Sequence, residues 1–184
     1  PVMRFPHWHF CPKCRRMYHA VKHGFSKREQ PPACQERSCR KKQLLPMRFV
    51  RICSAGHMSD VDWYRWAHAG RRGAGGPCDK ETAVLKFVEK GTNGGDFDSM
   101  WIECSCGSKN NLMAIRAPAG SQALLAHTGP CSGKNPWQAP DRAVSCNPED
   151  HQFKIEPRGS SSLYFPKTPS FLDLEGAGER DPDV

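Results

Sequence analysis

The sequence predicts a small α+β fold with short β-hairpins, one or two short helices and long irregular loops. Leu, Ile, Val and Phe make up only 30 of the 184 residues, and a share below roughly 20% in a charged chain is typical of disorder. Ten cysteines and five tryptophans are not typical of disordered chains. We therefore expect a zinc-ribbon-type fold, nucleated by metal because the apolar core is too small to hold it alone.

The first candidate metal site comes from two cysteine pairs in the N-terminal third. Cys11 and Cys14 are separated by two residues, and Cys34 and Cys39 by four, both within the usual chelating range. A tight turn between two thiolates can aim both sulfurs at one ion. The alternatives are a disulfide frame or thiols that are merely buried. No stretch approaches the about 18 apolar residues of a membrane span, so we expect a cytoplasmic protein in which zinc is favoured over disulfides.

The second candidate site lies in CSAGHMSDVDWYRWAH. Cys53 and His57 form a C-x3-H pair, and Cys78 follows further along the chain. An S-x-x-D capping box predicts a helix over residues 60–69, on which His68 would point back toward His57. We therefore group Cys53, His57, His68 and Cys78 as one zinc site. The alternative for His68 is an ordinary histidine on a helix surface.

The remaining cysteines form the third candidate site. Cys104 and Cys106 form a C-x-C pair followed by a glycine, and Cys131 and Cys146 lie in loop-like segments. The count then closes at three four-coordinate zinc ions, held by ten cysteines and two histidines. The alternative is that one or two of these thiols are only buried.

Secondary structure is predicted most clearly in the second half. Residues 82–90 and 99–104 favour strands, and the turn-rich segment between them predicts a hairpin. Residues 121–127 suggest a short helix. Two further short strands are expected at 162–166 and 170–174.

Positive charge is concentrated at the N-terminus. Residues 1–52 contain 13 Lys and Arg against two acidic residues, whereas the whole chain has a net charge of +8. A zinc ion with four thiolates would lower the charge of this region only to about +9. We expect residues 1–52 to form a basic zinc-ribbon lobe, residues 53–174 a second zinc-rich lobe, and residues 175–184 a flexible tail.

The basic residues around the zinc knuckles suggest a nucleic-acid surface, because charges on rigid loops are positioned to follow phosphates. The candidate contacts are Arg15, Arg16, Lys27, Arg28, Arg40, Lys41, Lys42, Arg48 and Arg51. Nearby aromatic residues that could stack on bases are Trp8, Phe10, Tyr18 and Phe25. The alternative is a solvated basic face without a ligand.

No catalytic motif is evident. The sequence contains no nucleotide-binding P-loop, no H-E-x-x-H zinc hydrolase motif and no G-x-S-x-G elbow. A zinc ion with four protein ligands has no open position for a substrate. We therefore expect a protein that is not an enzyme, with no small-molecule substrate and no membrane partner, although an open coordination position would favour a zinc-dependent enzyme.

The order of the motifs along the chain resembles that of a known family. The segments RFPHWHFCPKC, ACQERSC, PMRFVRICSAGHMSDVDWYRWAH, ECSCG, CSGKNPW and SSLYFPKTPSFLDL together resemble the DrmB subunit family of DISARM phage-defence systems. The resemblance spans residues 4–174 and implies an internal segment of a longer protein. It also implies a non-catalytic partner of the DrmA helicase that helps to load the pair onto DNA.

Two functional hypotheses follow. The first is a zinc-scaffolded nucleic-acid-binding partner of a defence helicase. The alternative is a zinc-scaffolded adaptor for protein–protein interaction that does not bind nucleic acid directly. Salt dependence separates them, because contacts with phosphates weaken steeply as salt is raised.

Overall fold

Short strands and helices surround a tryptophan-centred core in the computed structural model, which describes residues 4–25, 31–69, 78–91, 96–138, 146 and 152–163. The strands of these residues are Trp8–Phe10 (β1), Met17–His19 (β2), Leu45–Pro46 (β3), Phe49–Cys53 (β4), Met58–Ser59 (β5), Leu85–Glu89 (β6), Met100–Cys104 (β7), Lys109–Asn111 (β8) and Phe153–Pro157 (β9). The helices are Trp63–His68 (α1) and Gln122–Thr128 (α2), with 3-10 helices at Arg37–Cys39, Met113–Arg116 and Ser161–Leu163. The predicted small α+β fold is confirmed.

The strands form three antiparallel sheets of three strands each, in the orders β2-β1-β3, β5-β4-β9 and β6-β7-β8. In the first sheet, β1 pairs with β2 so that Phe10 lies opposite Met17. The turn between these strands therefore carries Cys11 and Cys14. The β3 strand pairs with the other edge of β1 and brings the chain back after the second cysteine pair.

The second sheet is built around β4. Four of its five side chains are buried, because β4 is the central strand between β5 and β9. The pairing of β4 with β9 places Cys53 opposite Phe153. This register links residues that are one hundred positions apart and brings the C-terminal part of the described chain beside Cys53.

The third sheet contains the predicted hairpin. Leu85 and Phe87 of β6 are buried while Lys86 is exposed, as expected of a strand with one face on the core. The β6 and β7 strands pair antiparallel with Leu85 opposite Cys104, which confirms the hairpin. Residues 92–95 of its connection lie outside the described residues.

Helix α1 is shorter than predicted. It begins at Trp63 and not at residue 60, because the Asp62 side chain is the N-cap and accepts a hydrogen bond from the Arg65 backbone at 3.0 Å. Helix α2 matches the predicted segment and is capped by Ser121, which accepts from the Leu124 backbone at 3.3 Å. Within the described ranges, no helix is long enough to span a bilayer.

The main core is centred on Trp63 and Trp66, both fully buried. It joins Phe10 and Met17, from the proposed basic lobe, to Phe87 of the third sheet. The boundary between residues 1–52 and 53–174 stays a prediction, although packing crosses it.

Residues 162 and 163 belong to a 3-10 helix instead of a strand. The rest of the strands predicted at 162–166 and 170–174 lies outside the described residues, as does the proposed tail at 175–184.

Candidate metal centres

The twelve predicted ligands converge into three sets of four. Within each set, one ligand atom of every residue lies within 4.8 Å of the others, so each set could hold one metal ion. The first cluster is Cys11, Cys14, Cys34 and Cys39; the second is Cys53, His57, Cys131 and Cys146; the third is His68, Cys78, Cys104 and Cys106.

The spacing of the sulfurs fits a metal cage. The Sγ atoms of Cys11 and Cys39 are 3.8 Å apart, and those of Cys14 and Cys34 are 3.7 Å apart. A tetrahedron with metal–sulfur bonds of about 2.3 Å has edges of about 3.8 Å, whereas the sulfurs of a disulfide are about 2.05 Å apart. All ten cysteines are free. The geometry therefore favours metal over the disulfide alternative.

The first knuckle of the first cluster is closed by backbone hydrogen bonds. The Cys11 N–H donates to the Arg16 carbonyl and the Arg15 N–H donates to the Cys11 carbonyl, each at 2.9 Å. The Lys13 N–H points at the Cys11 Sγ atom at 3.4 Å. Arg15 adopts φ 66°, a left-handed conformation that turns the chain out of the knuckle.

The second knuckle is built in a similar way. The Cys34 N–H donates to the Lys42 carbonyl at 2.8 Å, which closes the loop around Cys39. Arg40 and Lys41 follow with φ 51° and 56°. Non-glycine residues rarely adopt this region, and the turn that they form is closed by the Lys42 N–H, which donates to the Cys39 carbonyl at 3.1 Å.

The second and third clusters differ from the predicted grouping. We predicted Cys53 and His57 with His68 and Cys78, and that grouping is wrong. The Cys53 Sγ atom lies 3.3 Å from His57 Nδ1 and 3.9 Å from the Cys146 Sγ atom. The Cys131 Sγ atom completes this cluster at 3.8 Å from His57 Nδ1.

Long-range contacts explain why Cys131 and Cys146, and not His68 and Cys78, lie with Cys53 and His57. The β4–β9 pairing places Phe153 opposite Cys53, and Cys146, which precedes β9 in the chain, lies beside Cys53. The Asn135 side chain accepts a hydrogen bond from the Met58 N–H at 2.8 Å and holds the loop after Cys131 near the same place. Neither contact leaves a local signal in the sequence.

The third cluster combines His68 and Cys78 with the C-x-C turn, and not with Cys53 and His57. His68 Nε2 lies 3.2 Å from the Cys106 Sγ atom, and the Cys78 and Cys104 Sγ atoms are 3.6 Å apart. His68 Nδ1 donates to the Tyr64 carbonyl at 2.6 Å. That hydrogen bond fixes the tautomer and leaves Nε2 free for a metal, the usual arrangement of a ligating histidine.

The knuckles alone do not give the correct grouping. The first cluster contains two knuckles, and each of the other two contains one knuckle, formed by residues 53–57 or 104–106, with two ligands from elsewhere. The predicted grouping has the same composition, so local spacing does not separate the two arrangements. The C-x-C segment is a knuckle, because Gly107 adopts φ 90° and its N–H donates to the Cys104 carbonyl. The two remaining ligands of each of these clusters are assigned by long-range contacts, which the sequence does not reveal.

The thiols of one cluster influence each other's ionisation. Desolvation opposes ionisation of Cys106, but hydrogen bonds with Ser108 and His68 lower the pKa of Cys106 to about 5. Burial raises the pKa of Cys104 to about 11, and the neighbouring Cys106 and Cys78 add to the rise. A metal that binds all the thiolates must therefore release protons, and its affinity rises with pH.

The first cluster likewise contains one thiol whose pKa is lowered and one whose pKa is raised. Desolvation opposes ionisation of Cys11, but hydrogen bonds from the backbone of Cys14 and Lys13 lower the pKa of Cys11 to about 7. Burial raises the pKa of Cys14 to about 12.

Arg51 is not positioned to contact nucleic acid. Only 7% of its surface is exposed, and its guanidinium donates to the carbonyls of Thr128, Gly129 and Pro130 at 3.3, 3.3 and 2.8 Å. Its Nε donates to the Ser59 hydroxyl at 3.0 Å. The sequence predicted that Arg51 contacts nucleic acid. In the structure its side chain is buried and connects β4 to the end of α2 through hydrogen bonds.

Three other predicted contacts are engaged in ion pairs. Arg15 and Arg48 both pair with Glu89, at 3.3 and 2.9 Å, and Arg16 pairs with Glu36. Arg15 also lies over the rings of two core phenylalanines. The two pairs with Glu89 connect these cations to β6 of the third sheet, and all three cations are only partly free for a ligand.

The cations of the second knuckle are exposed. Arg40, Lys41 and Lys42 are accessible, and their side chains have no ion-pair partner within the part of the chain that the structure describes. Lys27 and Arg28 lie outside the described residues.

Sequence reasoning missed two exposed cations beside this knuckle. Lys13 donates to the Ser38 carbonyl at 2.6 Å, which places its ammonium next to the second knuckle, and Arg37 begins the 3-10 helix there. Of the aromatic residues proposed to stack on bases, Phe10 and Tyr18 are buried, while Trp8 and Phe25 are partly exposed.

Double variants test the grouping of the ligands. His68→Ala combined with Cys106→Ser removes two ligands of the third cluster, so the purified protein should lose one metal ion per chain. His68→Ala combined with Cys53→Ser affects two clusters and should lose two ions. Elemental analysis after exposure to a moderate chelator measures both. Loss of one ion from the second pair would support the grouping expected from the sequence and contradict the structure.

A comparison with protein families finds a match over most of the chain. A family model described as Domain of unknown function (DUF8724) matches residues 1–165, a range that includes all twelve ligands. A search of curated proteins found no match.

Proposed function

We propose a function for this chain, which belongs to the family described as Domain of unknown function (DUF8724), from its metal clusters and its exposed cations. The chain is a zinc-scaffolded nucleic-acid-binding module without catalytic activity. It acts as the partner of a defence helicase and helps to load that helicase onto DNA.

Zinc is the ion that suits the three clusters best. Sets of four cysteines, or of three cysteines and one histidine, are typical of structural zinc sites, and thiolates select against magnesium and calcium. Four protein ligands leave no open position for a substrate. The three clusters therefore support a scaffold and not a catalytic centre.

The observation that carries the proposal is the exposed basic turn at Arg40, Lys41 and Lys42. Its backbone is held by hydrogen bonds with Cys34 and Cys39 of the first cluster, so the three side chains start from a fixed turn. Lys13 and Arg37 extend the same surface. Cations on a rigid turn can follow a phosphate backbone without a large loss of side-chain entropy.

The charge of the metal cages does not cancel this surface. Three zinc ions and ten thiolates would leave the chain with a net charge of about +4, since the unmetallated chain has +8. Only the first cluster, with four thiolates, would carry two negative charges. The excess positive charge stays in the N-terminal third.

The helicase partner rests on the resemblance to the DrmB family. The motifs that carry this resemblance include the knuckles of all three clusters. The family match names no partner, so the association with a helicase and with phage defence depends on those motifs alone.

A charge reversal tests DNA binding. The variant Arg40→Glu, Lys41→Glu, Lys42→Glu should bind DNA more weakly across unrelated sequences, because phosphate contacts carry no base information. The slope of log K against log salt should flatten by about 0.9 for each duplex phosphate contact that is lost. Fluorescence anisotropy at several salt concentrations measures both quantities.

A matched control keeps the same change in net charge. Lys109→Glu, Lys134→Glu, Arg158→Glu alters three exposed cations of the second lobe and should leave DNA binding close to that of the wild type. Equal losses in the two variants would mean that only net charge matters, which would contradict a specific surface.

A second candidate function has its own observation. A groove of about 890 Å³ lies beside the second knuckle and is lined by Phe25, Pro31, Pro32, Arg37 and Arg40, among others. An apolar groove with a basic edge suits an acidic peptide, which favours the adaptor hypothesis. If the charge-reversed variant binds DNA normally but loses the helicase, the surface is a protein interface and the adaptor hypothesis is correct.

A further inference from the structure

A group of three side chains outside the cysteine clusters also has the composition of a metal site. One ligand atom from each of His7, His19 and Asp60 lies within 4.8 Å of the other two. The group contains no cysteine, and none of its members was singled out from the sequence. Its residues come from three separate segments of the chain.

The first sheet places the two histidines together. The His7 carbonyl accepts a hydrogen bond from the Ala20 N–H at 2.8 Å, and Trp8 lies directly opposite His19 in the β1–β2 pair. The two imidazole rings are therefore stacked, with centroids 5.6 Å apart and planes 23° from parallel. Strand pairing holds this geometry independently of any ion.

The Asp60 carboxylate is oriented by backbone N–H groups at the start of β1. Asp60 Oδ1 accepts from the His7 N–H at 2.9 Å and lies 3.5 Å from the Trp8 N–H. Asp60 Oδ2 lies 2.6 Å from His7 Nδ1. Oδ1 thus holds the orientation of the Asp60 side chain. Oδ2 and His7 Nδ1 share a proton, and a metal ion could replace that proton.

His19 is ready to act as a ligand. Burial lowers the pKa of His19, so its ring is neutral at pH 7 and one nitrogen has a free lone pair. No hydrogen bond to either ring nitrogen of His19 is found among the described residues. The side chains of His7 and Asp60 are 25% and 17% exposed, so an ion could reach the group from solvent.

We propose that His7, His19 and Asp60 form a fourth metal site, which binds a divalent transition-metal ion such as Zn²⁺ or Co²⁺. Two imidazoles and one carboxylate are ligands that such ions accept. Three protein ligands leave at least one coordination position for water or for a small ligand. This site differs in kind from the three cysteine clusters, which are complete with four protein ligands each.

Space for a ligand exists beside His19. A cavity of about 430 Å³ is lined by His19 and Trp8 together with His23, Tyr64 and Leu85, among others. A water molecule or a small ligand of the bound ion would therefore have room next to the site. Because thiolates are absent, the ion should exchange much more readily than the ions of the cysteine clusters.

The site also joins two parts of the chain. His7 directly precedes β1 and His19 ends β2 of the first sheet, whereas Asp60 lies between β5 and α1. A bound ion would tie the N-terminal strands to the segment that leads into the central helix. Binding should therefore stabilise that junction and raise the melting temperature of the protein.

The test uses the full chain with the ions that it already holds. Co²⁺ is added after weakly bound ions have been removed, and bound cobalt is counted by elemental analysis and by its visible absorption. We expect one further ion per chain, with a spectrum that lacks the thiolate-to-cobalt charge-transfer band of a cysteine site. No further ion, or a band from thiolate ligands only, would overturn the proposal.

Variants identify the ligands. His19→Ala leaves the His7–Asp60 pair in place and should weaken binding of the extra ion by at least about tenfold, since even loss of an outer-shell partner costs about 10–100-fold. Asp60→Asn, which keeps the acceptor for the His7 backbone, should have a similar effect. His127→Ala, which removes a histidine outside the group, should bind as the wild type does. Unchanged binding in both His19→Ala and Asp60→Asn would overturn the assignment.

Discussion

A strong metal chelator is expected to unfold the protein, if the three clusters hold the ions that their geometry suits. A structural zinc site contributes roughly 10–16 kcal/mol in small peptides, whereas the net stability of a typical domain is about 5–15 kcal/mol. The clusters here fix the knuckles and lie against the main core, which includes Cys53 and Cys104. Few other apolar residues are present to compensate. A strong chelator should therefore abolish the cooperative thermal transition followed by circular dichroism.

Tryptophan emission gives a second measure of the same event. Trp63 and Trp66 are fully buried, so unfolding should shift their fluorescence to longer wavelength. Chelator that has been saturated with zinc beforehand is the control and should have no effect. Cys34→Ser should reduce the yield of folded protein, because it removes a ligand of the first cluster. A chelated protein that keeps its cooperative melt would show that the clusters are not the main source of stability.

Replacement of Arg51 should give the largest effect of any basic residue. Its guanidinium satisfies three carbonyls at the end of α2 and interacts electrostatically with the thiols of the second cluster. Arg51→Met would leave the buried Thr128 carbonyl without this donor, which costs about 1–3 kcal/mol. The Gly129 carbonyl would still accept from the Thr128 hydroxyl at 3.1 Å, and Pro130 is exposed. We expect a loss of about 2 kcal/mol in the free energy of unfolding, measured by urea denaturation.

Two further variants define the cause of that loss. Arg51→Lys keeps the charge but not the planar fork that reaches several acceptors, so its cost should be intermediate. Arg40→Met removes an exposed cation and should change stability by no more than about 0.5 kcal/mol. If Arg51→Met were as stable as Arg40→Met and lost DNA affinity, the original prediction of a nucleic-acid contact would be restored.

Some elements were predictable because their signals are local. The β6–β7 hairpin follows from alternating apolar residues on either side of a turn-rich segment, and α2 follows from a serine N-cap before an apolar run. The start of α1 was misplaced because Ser59 and Asp62 both look like caps. Only the structure shows that Asp62 caps the helix, whereas Asp60, nearby in sequence, is hydrogen-bonded to His7.

The proposed nucleic-acid surface shows that the sequence did not predict which cations are exposed. In the sequence, Arg51 and Arg40 are equivalent basic residues near a cysteine. In the structure, the strand that carries Arg51 is the centre of a sheet, so its side chain is buried, whereas Arg40 occupies an exposed left-handed turn. Exposure is a property of packing, and charge patterns alone do not report it.

The sequence by itself determined which twelve residues belong to the metal clusters, because ligand type and tight spacing are local requirements of chelation. It also determined the composition of the first cluster, whose two knuckles are near each other in the chain. Only the tertiary structure decided how the other eight ligands divide, since the pairing of β4 with β9 and the docking of α1 beside the C-x-C turn join distant segments. His7 and His19 are brought together by the β1–β2 pair, and Asp60 joins them through its hydrogen bond with the distant His7 backbone, which leaves no local trace in the sequence.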